Sequence, residues 1–359
     1  MLDFRRPLSK FRKTSNKEHC RSKFVTERHG AWGLGIPESI ECPPEMEMPA
    51  ILAVGGGKGG VGKSIISSNL AAVLSRFGLR VLVVDLDLGC ANLHTHFGVP
   101  MPRRTLADFI LHKTHSFRDI ILPAPVQGVA FVAGGRENEW GQIFSSGDNY
   151  FFSLWEGIFA SKREFNVDVV VFDLGAGTHQ HTMRFFSAAH LGIVTVLPEP
   201  TSIENAYVFI KLALWNLIEN LGERLNQQLA AQEIKRILIE DRGGRGHTGY
   251  VEPLRQLRST YPEFIRQLVH GMHGRIVGLV VNQARDQSDV EVGRSMEHII
   301  QRYFGMQCKA IGHLNYDESV WKSLRNRRLL VADFPHCQIA KNLSNMASSV
   351  LKLLGIKGG

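Results

Sequence analysis

From residue 51 onward, short apolar runs alternate along the chain with longer segments in which apolar residues recur every three or four positions. The segments between the runs, including Thr105–Ile110, Phe151–Ser161 and Ser202–Ile218, have helical periodicity. Several runs are apolar on both faces, which is typical of a parallel sheet covered by helices on each side. The pattern therefore predicts an α/β, doubly wound fold with a mostly parallel sheet flanked by helices. The predicted strands are Ile51–Val54, Val81–Val84, Val129–Val132, Asp168–Phe172, Gly192–Leu197, Ile276–Val281 and Cys308–Gly312.

One region, at about residues 221–275, interrupts this alternation. It contains two helix-like patterns, Leu225–Ile239 and Val251–Val269, joined by the glycine-rich link Asp241–Gly246. We expect a helical insertion here, a hairpin that caps an edge of the sheet. A partner-binding lid and a passive embellishment are both compatible with the pattern.

The N-terminal segment differs in composition from the rest of the chain. Residues 1–28 contain nine Arg and Lys against three Asp and Glu, so they carry most of the net charge of +8. Residues 29–49 are rich in Gly and Pro and lack periodicity. We therefore divide the chain into a basic, disordered extension and linker at 1–49 and a domain at 50–355. A basic segment with phenylalanines is also suited to contact anionic lipid or nucleic acid.

The cysteines and the hydropathy of the chain indicate the cellular compartment of the protein. The five cysteines are odd in number and scattered, without a C-x-x-C pair, which argues against a disulfide framework or a zinc ribbon. No apolar run approaches the length of a membrane span, and the N-terminus lacks the apolar core of a signal peptide. We expect a cytoplasmic protein, with peripheral attachment at the inner face of the membrane left open.

The most specific motif is a glycine-rich stretch between a predicted strand and a predicted helix. It reads Gly57-Lys58-Gly59-Gly60-Val61-Gly62-Lys63-Ser64-Ile65 and fits the Walker A spacing. Glycines allow successive backbone N–H groups to converge on phosphate oxygens, and the following helix directs its positive end at the same anion. The motif predicts that Lys63 contacts the β- and γ-phosphates and that the Ser64 hydroxyl is a ligand of Mg²⁺.

Carboxylates follow two of the predicted strands. Asp85 and Asp87 come after Val81–Val84, and Asp173 comes directly after Asp168–Phe172 and before a glycine turn. The carboxyl ends of parallel strands meet at one edge of the sheet, where a nucleotide with Mg²⁺ requires acidic residues. The sequence therefore predicts an ATP and Mg²⁺ site beside the glycine-rich loop.

These motifs together resemble the MinD/ParA family, whose deviant Walker A loop has a second lysine. Lys58 occupies that position, and the resemblance implies that it crosses a dimer interface to contact the partner's nucleotide. The segment Asp85-x-Asp87-x4-Asn92 resembles the family's switch I, and Asp173-x-x-x-Gly177 resembles its switch II. We therefore expect an ATP-dependent homodimer.

The resemblance also implies roles for individual residues. Asp87 would orient the attacking water, Asp85 would lie in the second coordination sphere of Mg²⁺, and Asp173 would hold Mg²⁺ through water. Asn92 would support switch I. Asn282, at the end of a late strand, would hydrogen-bond adenine, and the sequence contains no N-K-x-D guanine motif. ATP is therefore the expected nucleotide.

Within the family, Asp173–Thr178 and Leu197–Tyr207 resemble the flagellar-number regulators. Other classes are disfavoured, because Thr178–Leu191 has no cysteine for a nitrogenase-type cluster and the C-terminal region lacks both a C-x-x-C and a tyrosine-rich tail. Two hypotheses remain. One is a regulatory ATPase switch that positions flagella or the division machinery with a polar or membrane-surface partner. The other is a ParA-type partition ATPase that binds DNA nonspecifically.

The partner, the activator and the cargo are not identified by the sequence. Ile339–Leu354 resembles the last helix of the domain rather than a membrane anchor, and residues 1–50 contain no D-Q-A motif of the kind found in flagellar regulators. Hydrolysis is expected to be slow without an activator.

Overall fold

The predicted parallel sheet is present in the computed structural model, which describes residues 48–87, 91–136, 139–141, 143, 149–240 and 250–356. Nearly all of the basic extension at 1–49, and the glycine-rich link Asp241–Gly246, lie outside the described residues. The strands are β1 (Ala50–Gly55), β2 (Val81–Leu86), β3 (Ile121–Pro123), β4 (Val129–Val132), β5 (Val169–Leu174), β6 (Leu191–Val196), β7 (Ile276–Ala284) and β8 (Gln307–Asn315).

The eight described strands form one sheet in the order β3-β4-β2-β5-β1-β6-β7-β8. All neighbours are parallel except β3 and β4, which pair antiparallel. The short strand β3 was not predicted, since three residues ending in a proline carry no readable alternation, and a proline is tolerated there because β3 is an edge strand. The α/β, doubly wound prediction is confirmed.

Helices cover both faces of the sheet. The described helices are α1 (Lys63–Arg76), α2 (Leu93–His96), α3 (Leu106–Ile110), α4 (Asn149–Phe165), α5 (Gln180–Ser187), α6 (Pro200–Arg224), α7 (Gln228–Lys235), α8 (Val251–Thr260), α9 (Pro262–Gly274), α10 (Gln287–Phe304), α11 (Glu318–Arg325), α12 (Leu330–Asp333) and α13 (Gln338–Leu354). Alternate residues of each strand enter opposite cores. Ile51 and Ala53 pack with α4, α5 and α6, while Leu52 and Val54 pack with α1 and α13.

The predicted insertion consists of three α-helices rather than a two-helix hairpin. The first pattern becomes α7, continued by a π-helical turn at Arg236–Glu240. The second divides into α8 and α9, because Pro262 lacks a backbone N–H and therefore begins a helix instead of continuing one. Leu254 and Phe264 join the same core as α6. The insertion thus packs on α6, which covers one face of the sheet, and α9 also contacts the edge strand β8.

Among the described residues, no helix combines the length and the apolar character needed to cross a bilayer.

Candidate nucleotide-binding site

The glycine-rich loop lies at the centre of the carboxyl edge of the sheet. It connects β1, whose neighbours are β5 and β6, to α1, which begins at Lys63. Gly62, which immediately precedes α1, has φ 94° and ψ 22°, in the left-handed region that favours glycine. A parallel sheet with a helix starting at this edge directs the positive helix end at the ligand position.

A close approach of α6 explains Gly57. A Cβ atom at this position would lie 2.2 Å from the backbone oxygen of Asn205 in α6, so any larger residue would displace the loop or the helix. Gly59 and Gly60 are exposed at the tip, while Val61 is buried beneath it. The first turn of α1 places Ser64 and Ile65 at the surface of the same loop, half-buried.

The two lysines of the loop occupy different environments. Lys63 is 7% exposed, and its Nζ donates to the Lys58 carbonyl at 3.4 Å. Burial lowers the pKa of Lys63, while the charges of Asp173 and Asp87 act in the opposite direction. The Lys58 side chain is 45% exposed, and its Nζ lies 3.9 Å from a carboxylate oxygen of Glu199. Only Lys63 is therefore placed inside the site of its own chain.

Asp85 and Asp173 lie directly opposite each other on the neighbouring strands β2 and β5. Both are buried, at 0% and 1% exposure. Burial raises the pKa of Asp173 to about 6. Hydrogen bonds from Ser64 and Ser67 and the charge of Lys63 favour the ionised form and partly oppose this increase. Burial, followed by the charge of Asp173, raises the pKa of Asp85 well above its ordinary range. Two buried carboxylates side by side are either protonated or balanced by a cation, and a bound cation would favour their ionised forms.

The Asp85 carboxylate also organises the segment that resembles switch I. Its oxygens accept from the backbone N–H groups of Asp87 and Leu93, each at 3.1 Å. Asp87 is half-buried and adjacent to the turn after β5, because a Cβ atom on Gly175 would lie 3.0 Å from its carboxylate. The segments resembling switch I and switch II are therefore in contact. Asn92 is exposed and precedes α2.

Asn282 lies at the end of β7 and is 6% exposed. Its Nδ2 donates to the carbonyl of Val61 at 2.8 Å, and its Oδ1 accepts from the N–H of Gln283 at 2.9 Å. The described contacts of this amide are thus with the glycine-rich loop and its own backbone. A contact with adenine remains a prediction.

Three contributors to the site are not evident from the sequence. Ser67 Oγ donates to Asp173 at 2.8 Å from one turn beyond Ser64. Its signal is only the i, i+3 spacing on α1, which serine shares with many surface positions. Glu199 precedes α6 and Asn205 lies within α6, and both approach the glycine-rich loop. No local sequence pattern indicates that this helix lies next to the loop.

Comparison with protein families agrees with this geometry. Residues 52–330, more than half of the chain, match the model of the CobQ/CobB/MinD/ParA nucleotide binding domain. The chain belongs to this MinD/ParA family. The predicted resemblance is therefore confirmed, and it identifies the glycine-rich loop as part of a nucleotide-binding domain.

Individual MinD/ParA relatives support the narrower likeness. The chain is 38% identical over 162 residues to the antiactivator FleN of Pseudomonas aeruginosa, covering 45% of this chain and 55% of that protein. It is 34% identical over 162 residues to the flagellum site-determining protein YlxH of Helicobacter pylori, covering 45% and 52%. The matched segment thus spans about half the length of these curated relatives.

A solved structure shares the fold over most of the chain. The cell division ATPase MinD of Pyrococcus furiosus has a TM-score of 0.56 at 19% identity and covers 85% of this chain and 100% of its own. At this identity the likeness concerns the fold alone. It agrees with a mostly parallel sheet carrying the loop at its carboxyl edge.

Proposed function

We propose that this chain is an ATP-binding and ATP-hydrolysing molecular switch of the MinD/ParA type, which dimerises with ATP and controls the spatial organisation of flagella or of the division site. The observation that carries the proposal is the meeting of Lys63, Ser64, Asp85, Asp87 and Asp173 at one edge of the sheet. The likeness to YlxH, a protein named for determining the flagellum site, supports the cellular role.

The residues present suit Mg²⁺ and a triphosphate. Burial raises the pKa values of Asp85 and Asp173 because it disfavours the ionised carboxylates, and a divalent cation bound beside them would favour the ionised forms. Ser64, Asp85 and Asp173 would hold Mg²⁺ directly or through water, and Lys63 with the loop N–H groups would hold the phosphates. When bound, the metal ion would supply positive charge that stabilises the phosphate oxygens. Asp87 would orient the attacking water.

Lys58 is the residue proposed to act across the dimer. Its ammonium is at the surface beside Glu199 rather than within the cluster around Lys63. In a dimer in which the two loops face each other, Lys58 of one copy would lie near the γ-phosphate of the nucleotide bound to the other copy, where negative charge develops during hydrolysis. Closure of two copies around two nucleotides would then couple ATP binding to dimerisation.

A second candidate, a ParA-type partition ATPase that binds DNA nonspecifically, is favoured by one surface feature. The end of α11 and the turn after it expose Arg325, Arg327 and Arg328 close together in the chain. Such a group of guanidinium ions is suited to phosphate backbones. The two candidates share the nucleotide site and differ in the surface that the ATP form binds.

Light scattering with Mg-ATP and with ADP tests the proposal. The wild-type protein should double in mass with ATP only, and Lys58→Ala should bind ATP but stay monomeric. Lys322→Ala, at an exposed lysine of α11, is the matched control and should dimerise normally. Asp87→Ala should accumulate as the ATP-bound dimer because hydrolysis is lost. Normal dimerisation of Lys58→Ala would contradict the proposed trans role.

The ATP dimer is then sedimented with anionic vesicles and, separately, with plasmid DNA. Pelleting with vesicles supports the polar or septal switch, whereas pelleting only with DNA supports the partition ATPase. A mass that does not respond to ATP would refute the dimer-switch mechanism for both.

A further inference from the structure

The end of β7 has an irregular backbone. The pairing of β7 with β8 shifts register between Val281 and Ala284, and Gln283 has φ 59°, in the left-handed region that a glutamine adopts at a cost. The intervening Asn282 is the residue whose side chain reaches the glycine-rich loop. The buried Asn282 amide thus lies next to a backbone position of unfavourable conformation, and such positions are common at functional sites.

The amide of Asn282 is tightly fitted against the loop. Its Nδ2 lies 2.8 Å from the Val61 carbonyl, and a Cβ atom on Gly62 would lie 2.3 Å from the same nitrogen. The Oδ1 atom is held by the N–H of Gln283, which sets the orientation of the whole side chain. Asn282 therefore contacts the peptide group that joins Val61 to Gly62 from one side.

Holding one atom of a peptide group orients the other. A trans peptide is planar, and its C=O and N–H point in opposite directions. With the Val61 carbonyl directed at Asn282, the Gly62 N–H points away from Asn282. Gly62 immediately precedes α1, so its N–H belongs to the group of backbone donors at the helix start that bind anions.

We propose that Asn282 is a positioning residue for phosphate binding, which holds the Val61–Gly62 peptide so that the Gly62 N–H is directed at a phosphate oxygen. This inference rests on the proposed nucleotide-binding function and deepens it. Its consequence differs from that of a base-reading asparagine. A residue that acts through the loop affects every ligand with a phosphate chain equally, whether or not a base is attached.

The test compares three ligands in the presence of Mg²⁺: ATP, GTP and inorganic tripolyphosphate, which has no base. Binding is measured by calorimetry for the full chain and for Asn282→Ala and Asn282→Asp. Asp retains the acceptor for the Gln283 N–H but has no donor for the Val61 carbonyl. The matched control is Asn216→Ala, at another buried asparagine, whose Oδ1 accepts from Asn220 within α6.

We expect Asn282→Ala to weaken binding of all three ligands by the same factor, about 5- to 20-fold for the loss of one buried hydrogen bond. Asn282→Asp should weaken all three at least as much, because its carboxylate would face the Val61 carbonyl oxygen. Asn216→Ala should leave all three affinities unchanged. A loss for ATP with unchanged tripolyphosphate binding would overturn the inference in favour of base reading. Unchanged binding of all three by folded variants would also overturn it.

Two further outcomes are distinguishable. If both Asn282 variants fail to fold by circular dichroism while Asn216→Ala folds, the amide supports the domain rather than phosphate binding, and the inference is rejected. If the folded wild-type protein binds none of the three ligands, the proposed function itself fails.

Discussion

Replacing Gly62 by alanine tests how the glycine-rich loop is held. Gly62 has φ 94°, where an L-residue costs about 1–2 kcal/mol. The new Cβ would also lie 2.3 Å from Asn282 Nδ2 and would displace the bond to the Val61 carbonyl. An orphaned buried acceptor costs a further 1–3 kcal/mol or so. We therefore expect Gly62→Ala to lower the free energy of unfolding by about 3 kcal/mol.

Substitutions at two other glycines distinguish the energetic cost of the backbone conformation from the cost of displacing the Asn282 side chain. Gly60 in the same loop has φ 77°, and Gly78 after α1 has φ 82°, and an added Cβ at either meets no heavy atom within 4 Å. Gly60→Ala and Gly78→Ala should each cost only about 1–2 kcal/mol. The assay is urea unfolding of the nucleotide-free protein at neutral pH, with unchanged slopes as the check on two-state behaviour.

A double-mutant cycle completes this test. In the presence of Asn282→Ala, the methyl group of Gly62→Ala has no amide to displace, so its cost should fall by about 1 kcal/mol or more. Equal destabilisation by Gly62→Ala and Gly60→Ala, together with additivity in the cycle, would refute the argument that the amide is fitted against the loop.

Two further predictions concern charge. Burial raises the pKa of Asp173 from its ordinary 3.8 to about 6. The contribution of the Asp173 carboxyl group to the free energy of unfolding is therefore fully present below about pH 4 and is lost as the pH rises through 6. Asp173→Asn should consequently be more stable than the wild-type protein at pH 8 without Mg²⁺, by up to about 3 kcal/mol, and equal to it near pH 4. Urea midpoints at the two pH values measure this, and a variant less stable at pH 8 would exclude a desolvated carboxylate. In the insertion, Lys235 Nζ lies 3.8 Å from the Trp215 ring centroid and 2.6 Å from Glu219 Oε1. Lys235→Met should lower the free energy of unfolding by about 1–2 kcal/mol and increase amide hydrogen exchange in α7, whereas Lys322→Met should change neither. Equal effects of the two substitutions would show that the Lys235 contact does not hold the insertion in place.

Strands and loop motifs were accessible from the sequence because their signals are local. Val81–Val84 and Val129–Val132 are short runs of β-branched and apolar residues, and their side chains are buried on both faces. The spacing from Gly57 to Ser64 carries its own chemistry, since glycines and a lysine in that order suit a phosphate. Pro262 is a local signal for a helix start, but the periodicity of Val251–Val269 predicts one continuous helix across it.

The site's electrostatics depended on pairings that no local pattern reveals. Asp85 and Asp173 are 88 positions apart in the chain, and only the register of β2 against β5 places them opposite each other. The same applies to Asn282, whose contact with Val61 spans 221 positions. Its strand-end position predicts a contact with the base, whereas in the structure Asn282 lies within the register shift after Val281 and its side chain contacts the glycine-rich loop.

The sequence by itself determined the fold class, the family resemblance and the residue types of the candidate site, because apolar periodicity and motif spacing are properties of neighbouring residues. Only the tertiary structure decided which carboxylates share a buried environment, how the glycine-rich loop is held, and that Lys58 lies at the surface while Lys63 is buried. The physical reason is that burial and hydrogen-bond direction depend on strand register and helix packing. These properties arise when distant segments meet.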